Sequence, residues 1–197
     1  GCQITLSVEI IEPEEMVISS INVSDYNGYG VSCNGSFDGS INVTVSGGTG
    51  SYEYSWLGPD GFSSTDQNLS YLSVGIYSLF ITDDNGCQIT SSVEINQPEE
   101  LVVSSINVSD YNGYGVSCNG GSDGEIDITV SGGTGSYQYS WNNGDISQDI
   151  LGISSGFYSV LVTDSNNCSV SFELEITEPE ELTGFVNIVN NVSCNGL

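Results

Sequence analysis

Apolar and polar residues alternate along this chain in short runs. Ile41, Val43 and Val45 flank Asn42 and Thr44; Tyr52, Tyr54 and Trp56 flank Glu53 and Ser55. Tyr77, Leu79 and Ile81 follow the same period and leave Phe80 on the opposite side. A period of two puts each set on one face of a β-strand, and a further strand is expected from Met16 to Val23. Turn-forming residues separate the runs: Asp38–Gly39, GGTG at Gly47 to Gly50, and DDNG at Asp83 to Gly86. The series then returns as Ile126/Ile128/Val130, Tyr137/Tyr139/Trp141 and Tyr158/Val160/Val162, with Leu161 outward as Phe80 is. Short alternating strands around a central Trp, joined by Gly-rich turns, predict an all-β fold of tandem immunoglobulin-like β-sandwich repeats.

The repetition is close to literal. VSCNGSFDGSINVTVSGGTGSYEYSW, from Val31 to Trp56, recurs as VSCNGGSDGEIDITVSGGTGSYQYSW from Val116 to Trp141, and VSCNG opens again at Val192. Cys2 to Cys87 and Cys33 to Cys118 are each 85 positions apart, whereas Cys87 to Cys168 is 81. The difference falls after the Trp, where a loop changes length between fixed strands. Because Gly1 to Ile11 (GCQITLSVEII) matches Gly86 to Ile95 (GCQITSSVEI), residues 1–12 are expected to be the last strand of a preceding repeat. Residues 13–97 and 98–178 are then two Ig-like repeats, and 179–197 begins another. Pro13, Pro98 and Pro179 stiffen the junctions. With neither an initiator Met nor a leader, the sequence reads as part of a longer exported chain.

Charge narrows what such an array can do. The 197 residues include 26 Asp and Glu and no Lys, Arg or His, for a net charge of −26. Every carboxylate is therefore left to water, hydrogen bonds or cations. Nucleic acid is excluded as a partner because it needs a basic face, and membrane insertion because no apolar run spans a bilayer. Triads, Schiff-base lysines and arginine clamps are impossible. A glycosidase-like carboxylate pair is the one acid–base option left, but the acids lie mostly in repeated turns, so no enzyme is expected. Cysteines that never form CxxC read as disulfides in an oxidising, extracellular compartment rather than as a zinc site.

The combined pattern VSCNGxxDGxIxxTVSGGTGSYxYSW, followed by GxYSxxxTDxNxC and a closing EP, resembles the SprB-type repeat of giant surface adhesins from gliding Bacteroidota. The resemblance covers nearly the whole chain. It implies export through a type IX secretion system, a cell-surface location, and a role in attachment, gliding or an extracellular appendage. The absence of basic residues and the inserted DYNGYG segment both depart from that pattern.

Three groups of residues are candidates for function. Cys33 with Cys87, and Cys118 with Cys168, would staple each repeat internally, leaving Cys2 and Cys194 for neighbouring repeats. Pairing across the junctions (Cys2–Cys33, Cys87–Cys118, Cys168–Cys194) is the alternative. One cysteine near each end of a repeat favours the internal staple. Among the acids, Asp38, Asp83, Asp84, Asp123 and Asp164 in turns, and Glu14, Glu15, Glu99 and Glu100 at junctions, are candidate calcium ligands, although tight turns also favour Asp on their own account. Tyr26, Tyr29, Tyr111 and Tyr114 of the two DYNGYG segments are candidate contact residues. The functional expectation is a structural repeat segment of an extracellular adhesin or filament, packed against neighbouring repeats or in a homo-oligomeric fibre and attaching to an external surface or cell. The alternative is that the repeats themselves form a calcium-dependent glycan- or surface-binding module.

Overall fold

In the computed structural model, residues 1–187 are described. The strands of the first repeat are β1 Val17–Val23, β2 Gly39–Ser46, β3 Tyr52–Leu57, β4 Ser63–Ser64, β5 Leu69–Leu72, β6 Gly75–Asp83 and β7 Gln88–Ile95. They form a three-stranded sheet in the order β1-β2-β5 and a four-stranded sheet in the order β4-β3-β6-β7. The strand pairs of this repeat are antiparallel, with Trp56 opposite Leu79 and Ile21 opposite Val43. Both sheets contribute to one core: Ile41, Val43, Leu69 and Leu72 from the first, and Trp56, Tyr77, Leu79, Ile81 and Ile95 from the second. This is the immunoglobulin-like sandwich that the alternation anticipates.

The second repeat supplies β8 Val102–Val108, β9 Gly124–Ser131, β10 Gln138–Trp141, β11 Ile150–Ile153, β12 Gly156–Thr163 and β13 Ser169–Ile176. Their orders, β11-β9-β8 and β10-β12-β13, restate the first repeat without a counterpart of β4, which is where the loop shortens. Ile126, Ile128, Trp141, Val160 and Val162 occupy the buried positions, while Phe80 and Leu161 remain exposed. Each indole is satisfied by its variable loop: Trp56 Nε1 donates to Asp66 O and Trp141 Nε1 to Ser147 O, both at 2.9 Å. A buried indole without that acceptor would forfeit its hydrogen bond to water, so the loops differ in length but keep one carbonyl in place.

The chain divides into two compact units that do not coincide with the sequence repeats. One is Gly1–Val102 with Val130–Gln138 and Val162–Val170; the other is Val103–Thr129, Tyr139–Leu161 and Ser171–Leu197. Residues 1–12, expected to close a preceding repeat, form no strand without it, and Ile4, Leu6, Val8 and Ile10 are exposed. Alternation alone does not make a strand. The backbone N–H and C=O groups need a ladder partner, and none of the described strands pairs with this segment.

Candidate functional site

The features shared by both repeats converge on the linkers. Gly47 and Gly48, with φ of 77° and 70°, curl the loop after β2 so that it cradles the entering linker: Gly48 N donates to Glu14 O at 2.8 Å. A Cβ on Gly47 would lie 1.9 Å from Glu15 O, so no other residue fits. In the second repeat Gly133 N donates to Glu99 O at 2.9 Å, and a Cβ on Gly132 would lie 1.8 Å from Glu100 O. Glu14 and Glu99 are thus held by their main-chain carbonyls, and the carbonyls of Glu15 and Glu100 lie close against the cradle glycines.

Beneath each cradle lies an aspartate. Asp83 accepts from Thr49 N through Oδ2 and from Asn85 N and Cys87 N through Oδ1. Asp164 repeats this with Thr134, Asn166 and Cys168, and also takes the Thr134 hydroxyl. Burial pushes the Asp83 pKa up, but the backbone donations from Thr49, Cys87 and Asn85 outweigh it and hold the carboxyl below its ordinary value. Asp84 is also lowered, by the hydroxyl and then the amide of Ser51. These aspartates shape the hairpin between the last two strands of each repeat, the hairpin that carries a cysteine.

The other partner is the VSCNG loop. Asp38 Oδ1 accepts from Ser32 N, and Asp123 Oδ1 from Ser117 N, each at 3.0 Å, which sets the loop's curvature. The Ser117 hydroxyl and amide lower the Asp123 pKa. The loop then fastens to the linker that follows its own repeat: Asn34 Nδ2 donates to Pro98 O at 3.0 Å and Gly35 N to Gln97 Oε1 at 2.9 Å. Asn119 and Gly120 do the same with Pro179 O and Glu178 Oε2.

Within the first compact unit these pieces meet. Cys33 is disulfide-bonded to Cys168, with Cα atoms 5.7 Å apart. Beside the bond, Asn166 Nδ2 donates to Tyr26 O and to Ser32 O, both at 3.1 Å, and Asn27 Nδ2 donates to Asn166 Oδ1. The loop of the first repeat is thus fixed, covalently and by hydrogen bonds, to the last hairpin of the second.

This corrects the expected pairing. Cys33 is not joined to Cys87, nor Cys118 to Cys168; Cys87 and Cys118 are exposed free thiols, as is Cys2, and Cys194 lies outside the described residues. The reason is geometric. The VSCNG loop sits at the Ile95 end of β7, where Gly30 N donates to Asn96 O. Cys87 precedes the other end, on the order of 25 Å away along the strand, whereas a disulfide needs Cα atoms within about 7 Å. The alternative junction pairs are not formed among the described cysteines either.

The remaining candidates fall into two groups. Among the described residues, no three His, Cys, Asp or Glu side chains are gathered as a metal ligand set. Asp38, Asp83, Asp123 and Asp164 instead spend oxygens on backbone N–H groups, and Asp84 on Ser51. The DYNGYG segments form tight turns in which Tyr26 and Tyr29 exchange backbone hydrogen bonds, as do Tyr111 and Tyr114. The Tyr26 and Tyr111 hydroxyls donate inward, to Asp38 O and Asp123 O. In the first copy the segment's contact is made by Asn27 and the Tyr26 carbonyl rather than by the rings. Asn166, the residue that reads that loop, carries in the sequence only the signature of a hairpin-tip asparagine, which does not reveal its contact with Ser32 O.

The architecture defines a class: tandem immunoglobulin-like sandwich repeats with a disulfide tying successive copies. Residues 31–61 and 116–146 match the family model described as SprB repeat, each match running from the VSCNG loop past the Gly-Gly cradle. A crystal structure of the C-terminal 282-residue fragment of intimin, in complex with the translocated intimin receptor (Tir) intimin-binding domain, is similar at 16% identity and a TM-score of 0.43. The similarity covers 82% of this chain and 64% of that one, less than two thirds of its length. No curated protein matches the chain.

Proposed function

We propose that these repeats are a load-bearing spacer of an extracellular adhesin or appendage, one that holds an attachment element away from the cell surface. The carrying observation is the Cys33–Cys168 bond, which closes a loop spanning 135 positions and so ties the two repeats to each other as well as through their linker. Supporting it are the matches to the SprB repeat, the absence of any His, Lys or Arg for catalysis, and a stable disulfide's need for an oxidising compartment. No helix among the described residues is long and apolar enough to cross a membrane. Gliding and type IX export belong to the same reading.

The reading in which the repeats themselves bind glycans or surfaces through tyrosines and calcium has less support, because the Tyr26 and Tyr111 hydroxyls and the turn carboxylates are already engaged within the fold. Purified chain added to cells as a competitor separates the two. A spacer leaves attachment unchanged, and shortening the repeat array in the cell-borne protein weakens it. Blocked attachment, relieved by changing Tyr26, Tyr29, Tyr111 and Tyr114 to Ala, would overturn the spacer reading.

A further inference from the structure

The two repeats present the same junction in different states. In the second, the hairpin Asp164–Cys168 is occupied: Cys168 is bonded to Cys33 and Asn166 holds the VSCNG loop through Ser32 O. In the first, the hairpin Asp83–Cys87 is built on the same aspartate and the same three backbone donations, with Asn85 at the place of Asn166 and Cys87 at that of Cys168. It is vacant. Cys87 is an exposed thiol, and a cleft of about 670 Å³ opens between it, Asp83 and the linker Glu12–Met16. Conversely, the loop around Cys118 has the conformation of the bonded loop around Cys33. Ser117 N, Asn119 Nδ2 and Gly120 N donate to Asp123, Pro179 and Glu178 as Ser32, Asn34 and Gly35 donate to Asp38, Pro98 and Gln97. The loop is therefore shaped by its own repeat before any disulfide forms.

We propose that the Cys87 cleft is a socket for the VSCNG loop of the adjoining, preceding repeat of the same polypeptide, and that the Cys118 loop is the plug for the hairpin of the repeat that follows. Every junction of the array then carries one disulfide joining the loop of one repeat to the last hairpin of the next. The occupant is specified by what already fills the equivalent place at Cys168. Glu12 stands where Gln97 and Glu178 stand, so its carboxylate supplies the acceptor that the glycine amide of the plug requires. The pairing does not depend on what the array attaches to.

Formation is a thiol–disulfide exchange with an oxidising disulfide, small-molecule or protein. The Cys87 thiolate attacks one sulfur of the oxidant and expels its other half as a thiol. The incoming loop's thiolate then attacks the mixed disulfide at Cys87 and expels the second. Two protein thiols are oxidised to one disulfide while the oxidant disulfide takes up two electrons and two protons as two thiols.

The test is a chain in which a second copy of residues 13–197 follows Glu178, so that Cys118 of the first copy immediately precedes the repeat carrying Cys87 of the second. Cys87→Ser in the first copy and Cys118→Ser in the second remove the competing thiols. After folding with oxidised glutathione, thiol titration should find only Cys2 and Cys194 free, and non-reducing peptide mapping should recover Cys118 joined to Cys87. Adding Cys87→Ser in the second copy should raise the titre by one. Four titrating thiols in the first variant, or an unchanged titre in the second, would overturn the proposal.

Discussion

Because Cys33 and Cys168 are joined, force applied to the two ends of this chain travels through little of it. The path enters at the N-terminus, crosses the disulfide and leaves through residues 168–197, so β2 to β12 lie inside the closed loop. Only β1 and β13 lie outside, and each is at the end of its sheet order, where it can be peeled away without breaking a strand pair on both sides. Under oxidising conditions, single-molecule pulling should therefore extend only the 32 residue steps before Cys33 and the 29 after Cys168, about 200–220 Å in all. Reduction should release the loop of 135 steps and add about 450–490 Å of extension. In the chain-entropy description the same closure is worth about 5 kcal/mol of stability for a loop of 135 residues. Cys33→Ser should reproduce the reduced trace without reductant, whereas Cys87→Ser should leave the oxidised trace unchanged. Equal extensions in the two redox states, or a gain near 50 rather than 135 steps, would mean that force is borne by an internal staple or by none, and would refute the force path drawn here.

Gly132→Ala should cost at least about 2 kcal/mol, since it combines positive φ with a Cβ 1.8 Å from Glu100 O. Gly113→Ala, at φ 94° with open space around it, should cost about 1 kcal/mol in the same denaturant titration, so equal costs would refute the cradle. Asp164→Asn removes a buried charged acceptor of four donations and should lower stability by about 2 kcal/mol. It should also slow formation of the Cys33–Cys168 bond in a timed thiol-trapping experiment. The depressed pKa values of Asp83, Asp84, Asp123 and Asp145 contribute stability that is fully present above the ordinary carboxylate range near about 4 and is lost as pH falls through the lowered folded values. Changing all four to Asn should flatten the acid limb of a denaturation-midpoint profile, and an unaltered limb would count against it.

The sandwich was legible because burial leaves a direct signature: Ile41, Val43, Trp56, Leu79 and Ile81 alternate, and alternation maps onto a face. The repeat gave equivalence of positions, and Phe80 and Leu161 were placed outward by the same period. The junction was not legible in the same way. Cysteine spacing says which residues recur but not which ends of a strand they occupy. The wrong pair, Cys33 with Cys87, looked natural because it lies within one repeat, although β7 holds its members apart. Nor could the sequence tell an aspartate that binds an ion from one that accepts backbone N–H groups. Asp83 and Asp164 became readable as hairpin builders only once Thr49 and Thr134 were seen to turn back onto them. Asn166 and Asn85 looked like turn residues, which they are; what distinguishes Asn166 is the carbonyl of Ser32, brought to it by a part of the chain far away in sequence.

Composition explains why the tie has this chemistry. With 26 acidic residues and no basic side chain, two surfaces of this protein cannot be matched by ion pairs, and their net interaction across water is repulsive at low salt. The contact around Cys168 avoids the problem by using neutral groups: an asparagine amide, two main-chain carbonyls and a covalent bond. The neighbouring carboxylates are turned inward as acceptors for N–H groups, where their charge strengthens hydrogen bonds instead of facing another acid. Salt should therefore affect two properties differently. Raising ionic strength from about 10 mM to about 150 mM shortens the screening length from about 30 Å to about 8 Å and should raise the thermal midpoint of the oxidised chain by relieving general repulsion. It should also speed closure of the Cys33–Cys168 bond during oxidative folding, because like-charged segments meet more often. The bonded partners at completion should stay the same, since no charge pair selects them. Peptide maps at the two salt concentrations check this: a change of partner with salt would show that electrostatics, rather than the shape of hairpin and loop, determines which cysteines join.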